Sequence, residues 1–357
     1  MNKNRKKRIV AYILGVVMIG TILISIIIYK LNIAKVDVVL MNTNVHIEVE
    51  GFNAKPTVKI LISRISEFEK KFSTNLKDSL VYKINNADKD EEIVVDDEFI
   101  QLYDMAHQLY TMTNGKFDIT TCPLTELWGF APNTYNENTR VYVPPSKEEI
   151  NKTLENVGFE KLLLDRDNKK IKKTKKGVKI DFGAIGKGYI ADVVKDLAKE
   201  KNIKKGILQI SSSIYVIGGP YNIAIKDPRD SGDNYIGKLS LKDISIVTSG
   251  DYQRFYVDST SKRYHHIIDP TTGEPAENGV ISASIINEKS WFADGLATAA
   301  VLLGYDEILK IIQSNKLQAI IVTGSNIFDN QSIYSIHTNF EYNDHDLKDK
   351  YLVKKID

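Results

Sequence analysis

The run Gly206-Ile-Leu-Gln-Ile-Ser-Ser-Ser-Ile-Tyr-Val-Ile-Gly218, followed by Tyr221-Asn-Ile-Ala-Ile225, Gly237-Lys-Leu-Ser-Leu241 and Ile244-Ser-Ile-Val247, decides the fold class. All four stretches are strand candidates. The helix expected before them, Ile185 to Lys201, starts after a glycine turn. Strands thus follow strands, with no regular βαβ alternation. That pattern predicts an α+β fold of mixed or antiparallel sheets with packed helices, not a doubly wound parallel sheet.

Working outward, Leu162 to Ile180 reads as extended strands with turns at Asp167-Asn168 and Lys175-Lys176-Gly177. Ser146 to Val157 reads as a helix opened by a Ser146-x-x-Glu149 capping box. Asp97 to Thr113 is a second helix, closed by Asn114-Gly115. Pro56 to Lys71 is a third, with Val58, Leu61, Ile62, Ile65 and Phe68 on one stripe. Val36 to Glu50 carries a strand pattern whose second half alternates, and polar Asn133 to Arg140 follows Pro132 as a loop. Downstream, Ala293 to Ser314 contains helices and Ala319 to Val322 a late strand. No repeat recurs at a fixed period.

The 357 residues, 43% hydrophobic and 26% charged, have a globular composition, which excludes collagen, coiled coil and wholesale disorder. A single cysteine, Cys122, excludes an intrachain disulfide and any multi-cysteine zinc or iron–sulfur site. Six of the 48 Lys/Arg and none of the 46 Asp/Glu fall in the first thirty positions, so the remainder is net negative. Such a balance exerts no global pull on nucleic acid.

Ile9 to Tyr29 is uncharged. At ~1.5 Å per residue it spans roughly 30 Å, one hydrocarbon core. Lys3, Arg5, Lys6, Lys7 and Arg8 precede it, which predicts a cytoplasmic N-terminus and a chain that continues outside. The stretch is longer than a signal-peptide core of about 7–15 residues, and no A-x-A-like site follows. The expected division is a basic tail plus membrane anchor over 1–31 and one extracytoplasmic domain over 32–357.

Four constellations could carry chemistry. Thr113 to Pro132 combines turn residues with Asp118, Trp128 and Phe130, and reads as a pocket wall or as packed aromatics after a helix stop. Asp181-Phe-Gly-Ala-Ile-Gly-Lys-Gly-Tyr189 leads a glycine turn into a helix beside Lys187. Free N–H groups there would suit a phosphate, although the spacing is not that of a Walker A loop. Ser249-Gly-Asp-Tyr-Gln-Arg254 is followed by Tyr264-His-His-Ile-Ile-Asp-Pro-Thr-Thr-Gly-Glu-Pro275. In an extended segment His265 and His266 face opposite ways, and a histidine held by the Asp-Pro turn is a candidate general base. In Ala293-Asp-Gly-Leu-Ala-Thr298, Asp294 and Thr298 share one helix face. They read as hard oxygen ligands for Mg²⁺, or as a dipole-favoured acid and a back-bonded threonine.

Together and in this order, these stretches resemble the ApbE family of FAD:protein FMN transferases, over most of residues 37–325. The family pattern G-x-F/L-D-I-T-x-x-P-L…W-G-F stands at 115–130, D-x-G-A-I-x-K-G-Y at 181–189 and G-D-Y-x-R at 250–254. H-I-I-D-P-x-T-G-x-P stands at 266–275 and A-D-x-x-A-T at 293–298. Upstream, Phe72-Ser-Thr74, Asp78-Ser79 and Asn85 are similar to the family's S-T-x-x-x-D-S…N stretch.

The resemblance implies an ApbE-like fold and an enzyme that takes FAD as substrate with Mg²⁺ as cofactor. FMN would pass to a Thr or Ser hydroxyl of a partner protein through a phosphoester, with AMP leaving. Carried over by position, Asp294, Thr298 and the Ala184 carbonyl match metal ligands. Met41, Lys116, Phe117, Asp118, Asp181, Lys187 and Ile268 match positions lining FAD, and His266 matches the base. Asn75 stands where the family often has an aromatic, Ser211 and Ser212 where it has two glycines, and His265 where it has serine. The implied partner is an exported or membrane-bound redox protein that accepts flavin. Two other readings remain: an Mg²⁺-dependent FAD pyrophosphatase giving FMN and AMP, served by the same residues, and a membrane-tethered FAD-binding module without catalysis, against which Asp294, Thr298 and His266 argue because a pure binder needs neither metal nor base. Self-flavinylation within Asp294-Gly-Leu-Ala-Thr298 is a further reading.

Overall fold

The computed structural model describes residues 3–132, 134–136, 142–230, 232, 234–324, 334–339, 343–344 and 351–356. Most of the polar stretch 133–140 therefore lies outside the described residues. Among these, the main sheet contains nine strands: β1 (Ile33–Leu40), β2 (Thr43–Glu50), β3 (Lys205–Ile210), β4 (Ser213–Ile217), β5 (Ser245–Gly250), β6 (Val280–Asn287), β7 (Gln318–Thr323), β8 (Tyr334–Thr338) and β9 (Tyr351–Lys355). They lie side by side in chain order. Neighbours are antiparallel from β1 to β8, and β9 runs parallel to β8. The fold is α+β with a mainly antiparallel sheet, as the strand-after-strand pattern predicts.

The major helices are α1 (Lys3–Leu31), α2 (Ala54–Phe72), α3 (Asp97–Met112), α4 (Gly186–Glu200), α5 (Ser290–Leu303) and α6 (Tyr305–Ser314). From α2 onward they join one core with one face of the sheet, built on residues such as Leu61, Leu102, Ile190, Leu296 and Ile308. Ile223, Ile225 and Leu239, from the small sheet that includes Tyr221–Lys226 and Tyr235–Leu241, cover the opposite face, on which Val216, Ile246 and Ile320 point. Strand β6 is buried from Val280 to Ile286, with Ala283 and Ile285 in the first core and Ile281 and Ile286 in the second.

Two extended stretches prove to be hairpins. The Val36–Glu50 pattern folds back at Met41 (φ +55°) and Asn42 (φ +53°). Both occupy the left-handed region, as a two-residue type I′ loop requires. Gly206–Gly218 folds back at Ser211 (φ +57°) and Ser212. Within Leu162–Ile180, strands form at Leu162–Asp165 and Lys170–Lys173, while Ile180 pairs instead with the side chain of Asn85. The Asn85 amide accepts the Ile180 N–H at 2.7 Å and donates to the Ile180 carbonyl at 2.9 Å.

The register fixes two ends of the sheet. Met41-Asn42, Ser211-Ser212 and Gly250 lie at one end. Glu50, Lys205 and Gly218 lie at the other. Helix α1 joins the second end, since only Asn32 separates it from β1. Its Lys7–Ser25 segment is long and apolar enough to cross a membrane and has no part buried against the rest of the chain.

Candidate active site

The first end of the sheet opens into a cavity of about 870 Å³. That lies toward the upper end of the range for small-molecule sites. The turn after β1 contributes Met41, whose N–H donates to Glu69 Oε1 at 2.9 Å, so α2 holds the hairpin tip.

A second wall follows α3. Asn114 and Gly115 turn the chain, and the Phe117 N–H donates to Thr113 Oγ1 at 2.9 Å. Lys116, Phe117 and Asp118 then face the cavity. Asp118 caps the next short turn by accepting from the N–H and hydroxyl of Thr120, both at 2.7 Å, and burial raises its carboxyl above the usual range. Lys116 Nζ lies 2.6 Å from Asp269 Oδ2, which ties this wall to the Asp-Pro turn. Trp128 is structural: its indole N–H donates to the Gly273 carbonyl at 2.7 Å and the ring packs in a separate apolar cluster.

Asp181, Ala184 and Lys187 line the cavity at the start of α4. Several of the N–H groups there are already engaged within the fold. Gly183 N–H donates to Asp181 Oδ1, Ile185 and Gly186 N–H to the Phe182 carbonyl, and Gly188 N–H to Asp294 Oδ2. Side chains add counter-charge for an anion. Lys187 supplies one. Arg254, from the segment after β5, supplies another, although the sequence reading gave it no role.

The two histidines separate cleanly. His265 is 2% exposed. Its Nε2–H donates to the Ala276 carbonyl at 2.7 Å and its Nδ1 accepts the Ile267 N–H at 3.3 Å, so both nitrogens are engaged. His266 lines the cavity, with Phe130 edge-on at 6.4 Å between ring centroids. Its Nδ1 lies 3.2 Å from the Arg254 carbonyl. A carbonyl only accepts, so Nδ1 carries the proton and Nε2 keeps its lone pair. Burial, then the neighbouring His265, Arg254 and Lys187, lower its pKa to about 3. The adjacent Ile268 lines the cavity and bridges Pro275.

Thr298 lines the cavity from α5, its Oγ1 3.1 Å from Ser249 Oγ. Asp294, one turn earlier, is 1% exposed and sits behind the wall rather than on it. Burial raises its carboxyl above the usual range, against the pull of Lys187 and the Gly188 N–H. Position 188 must be glycine-sized: a Cβ there would stand 2.3 Å from the Ser290 carbonyl oxygen and 2.7 Å from Asp294 Cβ.

Asp294, Thr298 and the Ala184 carbonyl all offer hard oxygen atoms. The described residues hold no group of three or more His, Cys, Asp and Glu able to bind a metal. Few hard protein donors suit Mg²⁺, which keeps waters and shares substrate phosphate oxygens. Sequence reasoning also missed Glu69 and Lys226, which line the cavity. Glu69 belongs to an ordinary amphipathic helix and carried no local signal. Asn75, Ser211 and Ser212, the departures from the family pattern, all line the cavity too.

Comparison with known proteins matches these features. The ApbE family model covers residues 41–321. The FAD:protein FMN transferase of Vibrio cholerae serotype O1 is 30% identical over 283 residues, covering 78% of this chain and 82% of that protein. The one from Buchnera aphidicola is 32% identical over 276 residues, covering 75% and 79%. Among solved structures, the flavin transferase ApbE from Vibrio cholerae superposes with a TM-score of 0.74 at 26% identity, covering 86% of this chain and 96% of that one. The ApbE protein from Thermotoga maritima gives 0.74 at 33% identity, covering 82% and 94%. The order of the motifs, the cavity they build and the matched fold agree: this chain belongs to the ApbE family of flavin transferases.

Proposed function

We propose that this chain transfers FMN from FAD to a Thr or Ser hydroxyl of a partner protein, with Mg²⁺ as cofactor and AMP as leaving group. The observation that carries the assignment of the base is the His266 ring, held by the Arg254 carbonyl with Nε2 free in the cavity. The acceptor hydroxyl attacks the phosphorus attached to riboflavin. Its proton passes to His266 Nε2, the bond to the AMP phosphate breaks, and a phosphoester forms. A neutral imidazole is the state this step needs. Its basicity grows when a diphosphate enters, because the cations that lower its pKa then meet anions.

Lys187 and Arg254 place fixed positive charge on the wall where the diphosphate's charge builds up. Mg²⁺ would be held by Asp294, Thr298 and the Ala184 carbonyl, and would neutralise phosphate oxygens when bound. Met41, Lys116, Phe117, Asp118, Asp181 and Ile268 are assigned to binding FAD. Residues 1–31 are assigned as a cytoplasmic tail and single-pass anchor, with 32–357 outside the membrane. The acceptor is then an exported or membrane-bound redox protein.

The chain incubated with FAD, Mg²⁺ and membranes of cells that lack it tests the reaction. Release of AMP together with a fluorescent protein band after denaturing electrophoresis is the expected result. AMP with free FMN and no labelled band would make the chain a pyrophosphatase, and absence of AMP would leave a binding module.

A further inference from the structure

The sheet end opposite the cavity is also the end where α1 enters. The Asn32 carbonyl accepts the Gly51 N–H at 2.8 Å, so no free linker separates the apolar span from the domain. Any bilayer that receives Lys7–Ser25 must therefore lie close to this end. Phe52 projects there, 90% exposed. Around it stand exposed Lys55 on the first turn of α2, Lys201 just past α4, Lys204 and Lys205 entering β3, and Lys242 in the turn beside Gly219. The carboxylates nearby are Glu50, which pairs in register with Lys205, Glu200, Asp243, which accepts the Gly218 N–H at 2.8 Å, and exposed Glu288, which follows β6 next to exposed Lys289. The face thus combines a projecting aromatic ring with an excess of cations. That combination suits the headgroup region of a bilayer rich in anionic lipid.

We propose that this face rests on the anionic headgroups of the membrane, with Phe52 in the interface, as a second contact beside the helical span. The docking presupposes the anchored orientation of α1 proposed above. It has a geometric consequence for catalysis. Strands β1 and β2 each run eight residues from this face to the Met41-Asn42 rim of the cavity. At ~3.3 Å per residue the rim stands roughly 25 Å from the headgroups. The partner that fits is one that presents its accepting hydroxyl at that height.

The test uses the full chain in vesicles of phosphatidylcholine, with or without phosphatidylglycerol, containing spin-labelled lipid. Single cysteines at Val17, Asn42 or Asn53 carry a fluorophore; Cys122 is buried and Asn53 makes no side-chain capping bond. Labels at 17 and 53 should be quenched and the label at 42 should not. Quenching at 53 should be about threefold stronger with phosphatidylglycerol, and that gain should vanish in Lys201→Glu/Lys204→Glu. Phe52→Asp should release the label at 53. A quenched label at 17 with position 53 no more quenched than 42 would overturn the docking while the anchor stands. An unquenched label at 17 would remove the anchor, and the docking with it.

Discussion

His266 is oriented by main chain, not by another side chain. The Arg254 carbonyl fixes the tautomer, and the same residue's guanidinium faces the cavity. His266→Ala should lower the transfer rate by about 10²–10⁴ and leave FAD affinity near wild type, as measured by rapid-quench kinetics and flavin titration. The pH profile has a defined sign. Because the folded-state pKa lies near 3, the free enzyme should show no acid limb in kcat/KM at pH 6–7; a limb there would mean that the ring is not held neutral. In folding linkage, a depressed histidine pKa gives stability that is complete above about pH 6.5 and lost as pH falls toward 3. His265 acts in the same direction. Asp294 supplies the complementary test. Without Mg²⁺, Asp294→Asn should melt at or above the wild-type temperature, because it removes a buried charge. With Mg²⁺, calorimetry should show wild type gaining stability and the variant not. At this scale the alternation of an extended segment showed that His265 and His266 face opposite ways, while the family pattern was needed to say that His266 is the one on the cavity side. Arg254 stood in a quoted motif, yet its meeting with Lys187 and His266 depends on three distant segments converging.

Among the elements, α4 and α5 are the pair that sets the site. They cross at Gly188, where backbone meets backbone. Gly188→Ala should destabilise the chain by about 1–3 kcal/mol, read as a lower denaturation midpoint at unchanged slope. It should also disturb Asp294, which takes its hydrogen bond from that residue. The helices were legible because their stripes and caps are local: Ser146 and Glu149 make the capping box that their spacing predicts. The hairpin turns were not, because Met41-Asn42 and Ser211-Ser212 contain no glycine although three of these residues adopt positive φ. Strand β6 was missed for another reason. It is buried on both faces, so its serines carry no inside–outside signal, and Ser284 finds its partner in Thr248 at 2.8 Å.

At the scale of the molecule, a buried ion pair links the small sheet to the strand end that carries the Gly250–Arg254 segment. Arg229 donates to both Asp251 carboxylate oxygens at 2.7 Å. Asp251→Asn should cost about 3–5 kcal/mol, because it leaves a cation buried beside a neutral amide, and equilibrium unfolding would measure it. The fold class was legible because successive strands without intervening helices admit few architectures. The grouping of Phe52 with Lys205 was not, since the two become neighbours only through pairing of β2 with β3. The main sheet orders its nine described strands as the chain does. A polypeptide emerging N-terminus first can therefore dock each new strand onto the current edge, and none has to wedge between two already joined. Assembly of this sheet can keep pace with synthesis, starting from its N-terminal edge.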